Sequence, residues 1–520
     1  MASIFLFSTI SLKANAISAT FDPATGIADL PVVEVLSGSS SAFFSAQLQL
    51  SGNELQLIGA TPISPVTGER NVYDAATNAV HIPSINVGAD EFYVKLKLVS
   101  GSDPLRFTVD QVASNTSTAC PDFSTAGPSE GTCVLSGEIL NRDIILTKNI
   151  QWILSGGVFI GGDKTDNSTI TVNPGTQIFG QQGADFLWIR RGSKIFSEGT
   201  PDNPVVMSGP LQQTAGEWGG LIVTGSAPVN GCNDSVAVCE VPFEAITSEF
   251  MGGNAPEDNS GIIKYTQILF AGFAVRPNEE LNGLTLNAVG SGTLIDYVHV
   301  HAGLDDGVEM FGGTVQMKHL VLTDINDDSL DWGLGWQGRA QFVLIQQASD
   351  DGDRGIEADN NESGDLQPRS KPILSNLTLI GASVATEGAL LRRGTGANIW
   401  NTIITGFPTC VLIDGAPTFV NAGAPGNLSG ELTMEYSFVN CTTNFAEGEG
   451  ATFTVSDWFL SQPGNQEADP LLNGYLPAAG SPVILGGSPV NDPFFEAVDY
   501  SGAFKDENDD WTQEWTFNFN

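Results

Sequence analysis

Basic residues are scarce: the 520-residue chain carries 21 Lys and Arg against 60 Asp and Glu, a formal net charge of −39. Recognition of phosphate needs patches of Lys and Arg, so nucleic acid and anionic membrane surfaces are excluded as partners. No run approaches the ~18 apolar residues of a spanning helix, so no membrane span is expected. Sustained helical periodicity with caps is missing too. Cysteine is limited to six residues, none in the C-x-x-C spacing of zinc or thioredoxin-like sites. No Ser-His-Asp set, nucleophile elbow or phosphate loop is found.

What the chain does have is 59 Gly, 27 Pro and short runs of Val, Ile, Thr and Phe. Frequent turns between short apolar runs point to an all-β protein, and the length allows a large core in two units. Residues 1–16 read as a signal peptide, with an apolar core at residues 4–10 and the small-x-small tripeptide Ala14-Asn15-Ala16. No Cys follows that tripeptide, so no lipid anchor of the bacterial lipoprotein kind is expected. The protein is then read as secreted, extracellular or on the outer cell surface. In that setting the cysteines read as disulfides, with nearest-neighbour pairing expected: Cys120 with Cys133, Cys232 with Cys239, Cys410 with Cys441. The acidity suits salty or calcium-containing surroundings, where cations screen the repulsion.

Residues 17–115 read as a small β-sandwich-like domain. Residues 78–87 and 92–98 alternate apolar and polar as half-exposed strands do. A Ser/Thr-rich stretch at residues 113–118 makes a linker. From residue 119 to about 455 the texture is a coil repeat. Residues 170–179 are echoed 17 residues later by residues 187–196, each reading strand, Gly turn, strand. Short strands with Gly corners and no intervening helices exclude a βαβ fold, and blades of about 40 residues are lacking for a propeller. A right-handed parallel β-helix accounts for the short, uneven period. Residues 456–520 are irregular and Pro-rich and end in an aromatic segment, Trp511-Thr512-Gln513-Glu514-Trp515-Thr516-Phe517. That tail reads as a C-terminal cap and the stretch from Cys120 to Cys133 as the N-terminal one, covering sheet edges that would otherwise aggregate.

One acidic signature recurs three times: Asp305-Asp306-Gly307-Val308-Glu309, Asp327-Asp328-Ser329-Leu330-Asp331 and Asp353-Arg354-Gly355-Ile356-Glu357. The intervals, 22 and 26 residues, match one coil. Stacked coils lie roughly 4.8 Å apart. Equivalent residues therefore form columns: Val308, Leu330 and Ile356 inward, Glu309, Asp331 and Glu357 outward, Asp305, Asp327 and Asp353 at the preceding turn. A ladder of like charge is unfavourable unless a cation, a base or water offsets it.

Five segments resemble a group of exported bacterial proteins with a pectin-lyase-like β-helix. They are Cys133-Val134-Leu135-Ser136-Gly137, Trp218-Gly219-Gly220, Asn282-Gly283-Leu284-Thr285-Leu286, Asp306-Gly307-Val308-Glu309-Met310-Phe311-Gly312-Gly313 and Asp499-Tyr500-Ser501-Gly502-Ala503-Phe504. The resemblance covers about residues 119–520 and implies the fold. The group is functionally uncharacterised, and many members look like surface lipoproteins, from which the missing N-terminal Cys departs.

Three readings of the ladder follow. As a metal site, Asp305, Glu309, Asp327, Asp331, Asp353 and Glu357 offer the oxygens a hard cation such as Ca²⁺ requires, in an order unlike the EF-hand. As a catalytic site, a polysaccharide lyase or glycosidase would use Asp327, Glu357 and Arg354, the last as an elimination base. His299 and His301 then supply further bases, and Trp332 and Trp336 stack on sugars. As structure alone, the acids only make turns, the histidines and tryptophans pack, and Arg190-Arg191 and Arg392-Arg393 are isolated surface charges. The Gly-His-Gly element of polygalacturonases is absent from the sequence. The leading expectation is a calcium-stabilised adhesive or carbohydrate-binding protein with a polysaccharide or cell-surface partner, able to self-associate; the alternative is the enzyme.

Overall fold

The computed structural model describes residues 18–519 apart from 38–39, 233–235, 244–245 and 276–280. The expected signal peptide lies outside the described residues. The chain divides into two compact units between Ser117 and Thr118.

In the first unit eight strands, from Ala19–Asp22 to Arg106–Ser114, form one sheet. Parallel pairings of Ala19–Asp22 with Ala79–Val87, and of Ile27–Ser37 with Asn71–Asp74, join its two ends. The unit is therefore barrel-like, which refines the sandwich expectation. Alternation in a sequence assigns faces to a strand, but not the partner on each edge. Leu30, Leu48, Ile82, Leu96 and Phe107 fill its core.

The second unit is a parallel β-helix. The strands of successive coils pair in parallel, as Leu294–His301 does with Gln316–Thr323 and Val308–Phe311 with Leu330–Gly333. Period-2 alternation then sends every second side chain into one continuous core of Leu, Ile, Val and Trp. The longer strands bend near their middle. Tyr265, Tyr297, His319, Phe342, Asn376 and Asn401 occupy equivalent positions there, with φ from 45° to 61°. This left-handed backbone turns the chain through a corner and points the side chain outward. Tyr265, Tyr297, His319 and Phe342 stack on one another with centroids 4.5, 4.2 and 5.0 Å apart.

The three disulfides are Cys120–Cys133, Cys232–Cys239 and Cys410–Cys441. At the first coil, strand Thr125–Ala126 lies antiparallel on Thr132–Ile139, in the stretch the first disulfide closes. At the last coil, helix Val455–Leu460, capped by Thr454, buries Trp458 and Phe459 against the final strands.

The rest of the tail is not an end cap. Residues 488–519 run back along the flank as a strap, held by side chains of the coils. Asn401 exchanges two hydrogen bonds with Ser488, and Arg339 pairs with Asp492 at 2.8 Å. Asn376 donates to the Tyr500 and Gly502 carbonyls and Gln267 to that of Trp515. Trp511 and Trp515 meet the stacked corner rings edge-on. Outward-facing aromatic rings need a cover, and the aromatic tail supplies it. Among the described residues no helix is long and apolar enough to cross a membrane.

Candidate functional site

The three signatures fall in register. Glu309 pairs with Asp331 and Asp331 with Glu357, flanked by Thr285 and Leu390 on the neighbouring coils. Val308, Leu330 and Ile356 point inward and are buried. In the turn before each strand, the carboxylate of one coil accepts the backbone amide of the next. Asp328 N–H donates to Asp306 Oδ1 at 3.1 Å, and Arg354 N–H to Asp328 Oδ1 at 2.9 Å. Asp in the turn is therefore a backbone acceptor as well as a charge, which explains its recurrence.

Burial and crowding act on these acids together. Burial first, then Asp331, Glu309 and Asp305, holds the Asp306 carboxyl well above the usual carboxylate range. Burial, then Glu357 and Asp327, does the same to Asp328, with Arg354 offsetting part. Asp331 is raised by burial, Glu357 and Asp328. Glu357 is raised by burial although Arg392 and Arg354 pull it down. Carboxylate oxygens converge in three groups, each within 4.8 Å: Asp305, Asp306 and Asp327; Asp306, Glu309 and Asp331; Asp327, Asp328 and Asp353.

Arginines neutralise the other end of the ladder. Arg354 reaches Asp353 at 2.6 Å, Glu357 at 3.1 Å, Glu387 at 3.3 Å and Asp328 at 3.5 Å. Burial opposes its charge, but Asp328, Glu357, Asp353 and Glu387 raise its pKa above the ordinary arginine value. Its geometry is that of a counter-ion, so the elimination-base reading is withdrawn. Arg392 pairs with Glu357 and, at 2.9 Å, with Asp359; Arg393 pairs with Asp359 at 2.7 Å. The Arg392-Arg393 pair is thus part of the site rather than an isolated surface charge. Arg190 and Arg191 are likewise engaged, Arg190 with Glu249 and Glu138 and the buried Arg191 with Asp163.

Glu309, Asp331 and Glu357 line a cleft of about 280 Å³, walled by Asp359, Asn360, Asn361, Glu362 and Arg393. Two polar atoms at its acidic end are buried and lack a hydrogen-bond partner: Asp331 Oδ1 and Asn282 Oδ1. Asn282 donates its amide N–H to Glu309 Oε2 at 2.6 Å.

Trp332 and Trp336 are fully buried, their indole N–H groups donating to Thr395 Oγ1 and the Val315 carbonyl. The strand alternation that aims Asp331 outward sends Trp332 into the core, so neither ring is a sugar platform. His299 and His301 belong to a different strand column, under the strap, and both contact Thr323 Oγ1 at 2.9 Å. The base role expected for them is therefore withdrawn.

Asp306 and Asp328, the most buried acids of the ladder, read in the sequence as ordinary turn residues. Their recurrence at the second position of the signature was the available signal. Asn282 opens one of the segments that carry the resemblance, without a sign of its place beside Glu309, and Asp359 carries no signal in one sequence.

Residues 137–470 match the family described as pectate-lyase like beta helix domain. No curated protein matches the chain. Among solved structures, the chain is similar to the enzymatically active domain of tailspike protein 2 from bacteriophage CBA120, at 11% identity and a TM-score of 0.24. The match covers 74% of this chain and 51% of that one, so the chain spans about half the length of the tailspike domain.

Proposed function

From the premise that the chain belongs to the pectate-lyase-like β-helix family, we propose that it is an exported carbohydrate-binding protein whose acidic cleft is organised by a hard divalent cation, calcium first. The observation that carries this reading is the ladder itself. Its acidic end groups Asp306, Glu309 and Asp331 within 4.8 Å, and one oxygen of Asp331 is buried without a partner. Calcium–oxygen bonds run about 2.3–2.6 Å, so oxygens up to about 5 Å apart fit around one ion. Asp331, Glu309 and Asp306 would hold it, with Asp305, Asp327, Asp328 and Asp353 at the adjoining turns. Glu357 lies at the arginine-neutralised end and acts there as an anchor for Arg392. The bound ion supplies the positive charge that an acidic cleft needs to accept hydroxyl and carboxylate oxygens of a polysaccharide. A rigid solenoid with a flank cleft presents such a chain over several coils, which suits an adhesive, cell-surface or self-associating role.

The second reading is a polysaccharide lyase or glycoside hydrolase. What favours it is the raised protonation of Glu357 beside further carboxylates in a cleft, the environment in which general acids are found. Neutral, acidic and amino-sugar oligosaccharides, offered with and without calcium, separate the two. Saturable binding with no new reducing ends or unsaturated products supports the binding protein. Product formation abolished by Asp327→Asn or Glu357→Gln supports the enzyme, and neither binding nor turnover with any glycan overturns both.

A further inference from the structure

The distal end of the strap is fastened to the flank by a histidine in one defined protonation state. Phe517 N–H donates to His299 Nδ1 at 3.1 Å, so that nitrogen carries no proton. The ring proton then sits on Nε2 and is donated to Thr323 Oγ1 at 2.9 Å. The Thr323 hydroxyl is left to donate to His301 Nδ1, also at 2.9 Å. Every donor in this chain has an acceptor only while both imidazoles are neutral. Trp515 and Phe519 close over the His299 ring, with centroids 6.5 and 6.2 Å away, and Phe517 covers His301 at 5.5 Å.

We infer that the strap is an acid-released latch: a proton on His299 breaks its distal fastening, and residues 511–519 lift to bare the stacked rings of Tyr265, Tyr297, His319 and Phe342. Protonated Nδ1 is a donor facing the Phe517 donor, so the bond becomes a repulsion. The charge is also cut off from water, because His299 is fully buried. The charged groups facing His299 are few among the described residues. His301 stands next to it, and the Asp324 carboxylate is 3.8 Å from His301 rather than from His299. The strap contributes an amide and rings, and the side chain of its Glu514 is exposed. His319 meets the strap through its ring face on Trp511, while its Nδ1 lies on Asp296, itself paired with Lys264. A proton on His319 therefore breaks no strap bond. Burial and the neighbouring His301 hold His299 well below the ordinary imidazole value. The latch is fully fastened above that ordinary value, about 6.5, and is lost as pH falls toward the depressed one.

Hydrogen–deuterium exchange of the whole protein, read by mass spectrometry from about pH 8 down to about pH 3, tests the latch by following backbone amides and the imidazole C2 position together. After correction for intrinsic exchange, protection of residues 511–519 should fall about tenfold or more on acidification. The midpoint should coincide with protonation of His299, while strands Gly261–Leu269 and Leu294–His301 stay protected. In His299→Gln the amide oxygen accepts from Phe517 and the amide N–H donates to Thr323, so protection should persist in acid. Equal loss in wild type and His299→Gln overturns the latch. So does a strap that stays protected once His299 is protonated, or a release midpoint separate from His299 titration, both read on the wild type alone.

Discussion

Replacing Asp331 by Asn removes one charge from the middle of the ladder while keeping its size. In the cation-free protein the change should stabilise. Two carboxylates within 4.8 Å of one another repel by about 3.5 kcal/mol at an effective dielectric of about 20. Relaxation and partial protonation reduce this to about 2 kcal/mol, or a few degrees in melting temperature for a unit of this size. The pH dependence has a defined sign. Asp331 is raised in the fold by burial and by Glu357 and Asp328. Its protonated form therefore supports folding fully below the unfolded value of about 3.9, and that support disappears as pH rises through the folded value. The gain from Asp331→Asn should be near zero in strong acid and largest at about pH 8. With saturating calcium the order reverses: wild type gains about 2.7 kcal/mol at 100 times the dissociation constant, and the variant gains little. Thermal melting of chelated and calcium-loaded protein at the two pH extremes reads all four states. A chelated Asp331→Asn that melts below chelated wild type at about pH 8 would refute the reasoning, because it would make the charge itself stabilising.

Arg354→Met leaves Asp328, Asp353, Glu357 and Glu387 without their shared guanidinium, and should cost about 3 kcal/mol in chelated protein, measured as a lowered melting temperature that calcium partly restores. Trp332→Ala should cost about 3–5 kcal/mol by cavity formation, whereas Trp332→Phe costs less and leaves glycan affinity unchanged; a selective loss of affinity in the Phe variant would return Trp332 to the binding surface. Opening Cys410–Cys441, which spans 31 residues, with paired serines should cost about 3–4 kcal/mol in denaturant unfolding, and no change would mean that the last coils are held by the helix Val455–Leu460 alone.

The ladder was legible because its information is local. Alternation sets which residue faces out, the coil length sets which residues share a column, and both are written within the 53 residues from Asp305 to Glu357. What answers the charge was less so. Arg354 was visible as the break in the repeat, but its orientation toward four carboxylates depends on Glu387, one coil further on. Arg392 reaches Glu357 across 35 residues because the loop at residues 359–371 lengthens that coil, and nothing in the spacing announces it. The histidines illustrate the same limit. Their alternation on one strand was readable, yet their chemistry is set by Phe517, 218 residues away from His299. The Pro content and aromatic residues of the tail show only that it covers something, and an end cap is the expectation they support. Which surface it covers is decided by the outward rings at the left-handed corners, and a φ value is not visible in a sequence unless glycine marks it. In the first unit, turns and alternation described each strand, while closure of the barrel rests on parallel pairings between strands far apart in the chain.

The central claim is that a hard cation completes the acidic end of the ladder. Isothermal titration of calcium into chelated wild-type protein and into Asp331→Asn tests it most directly. The account predicts saturable binding to the wild type, with a matching rise in melting temperature, and binding weakened at least tenfold, about 1.4 kcal/mol, in the variant. Absence of calcium binding to the wild type, or equal binding to both proteins, would contradict it.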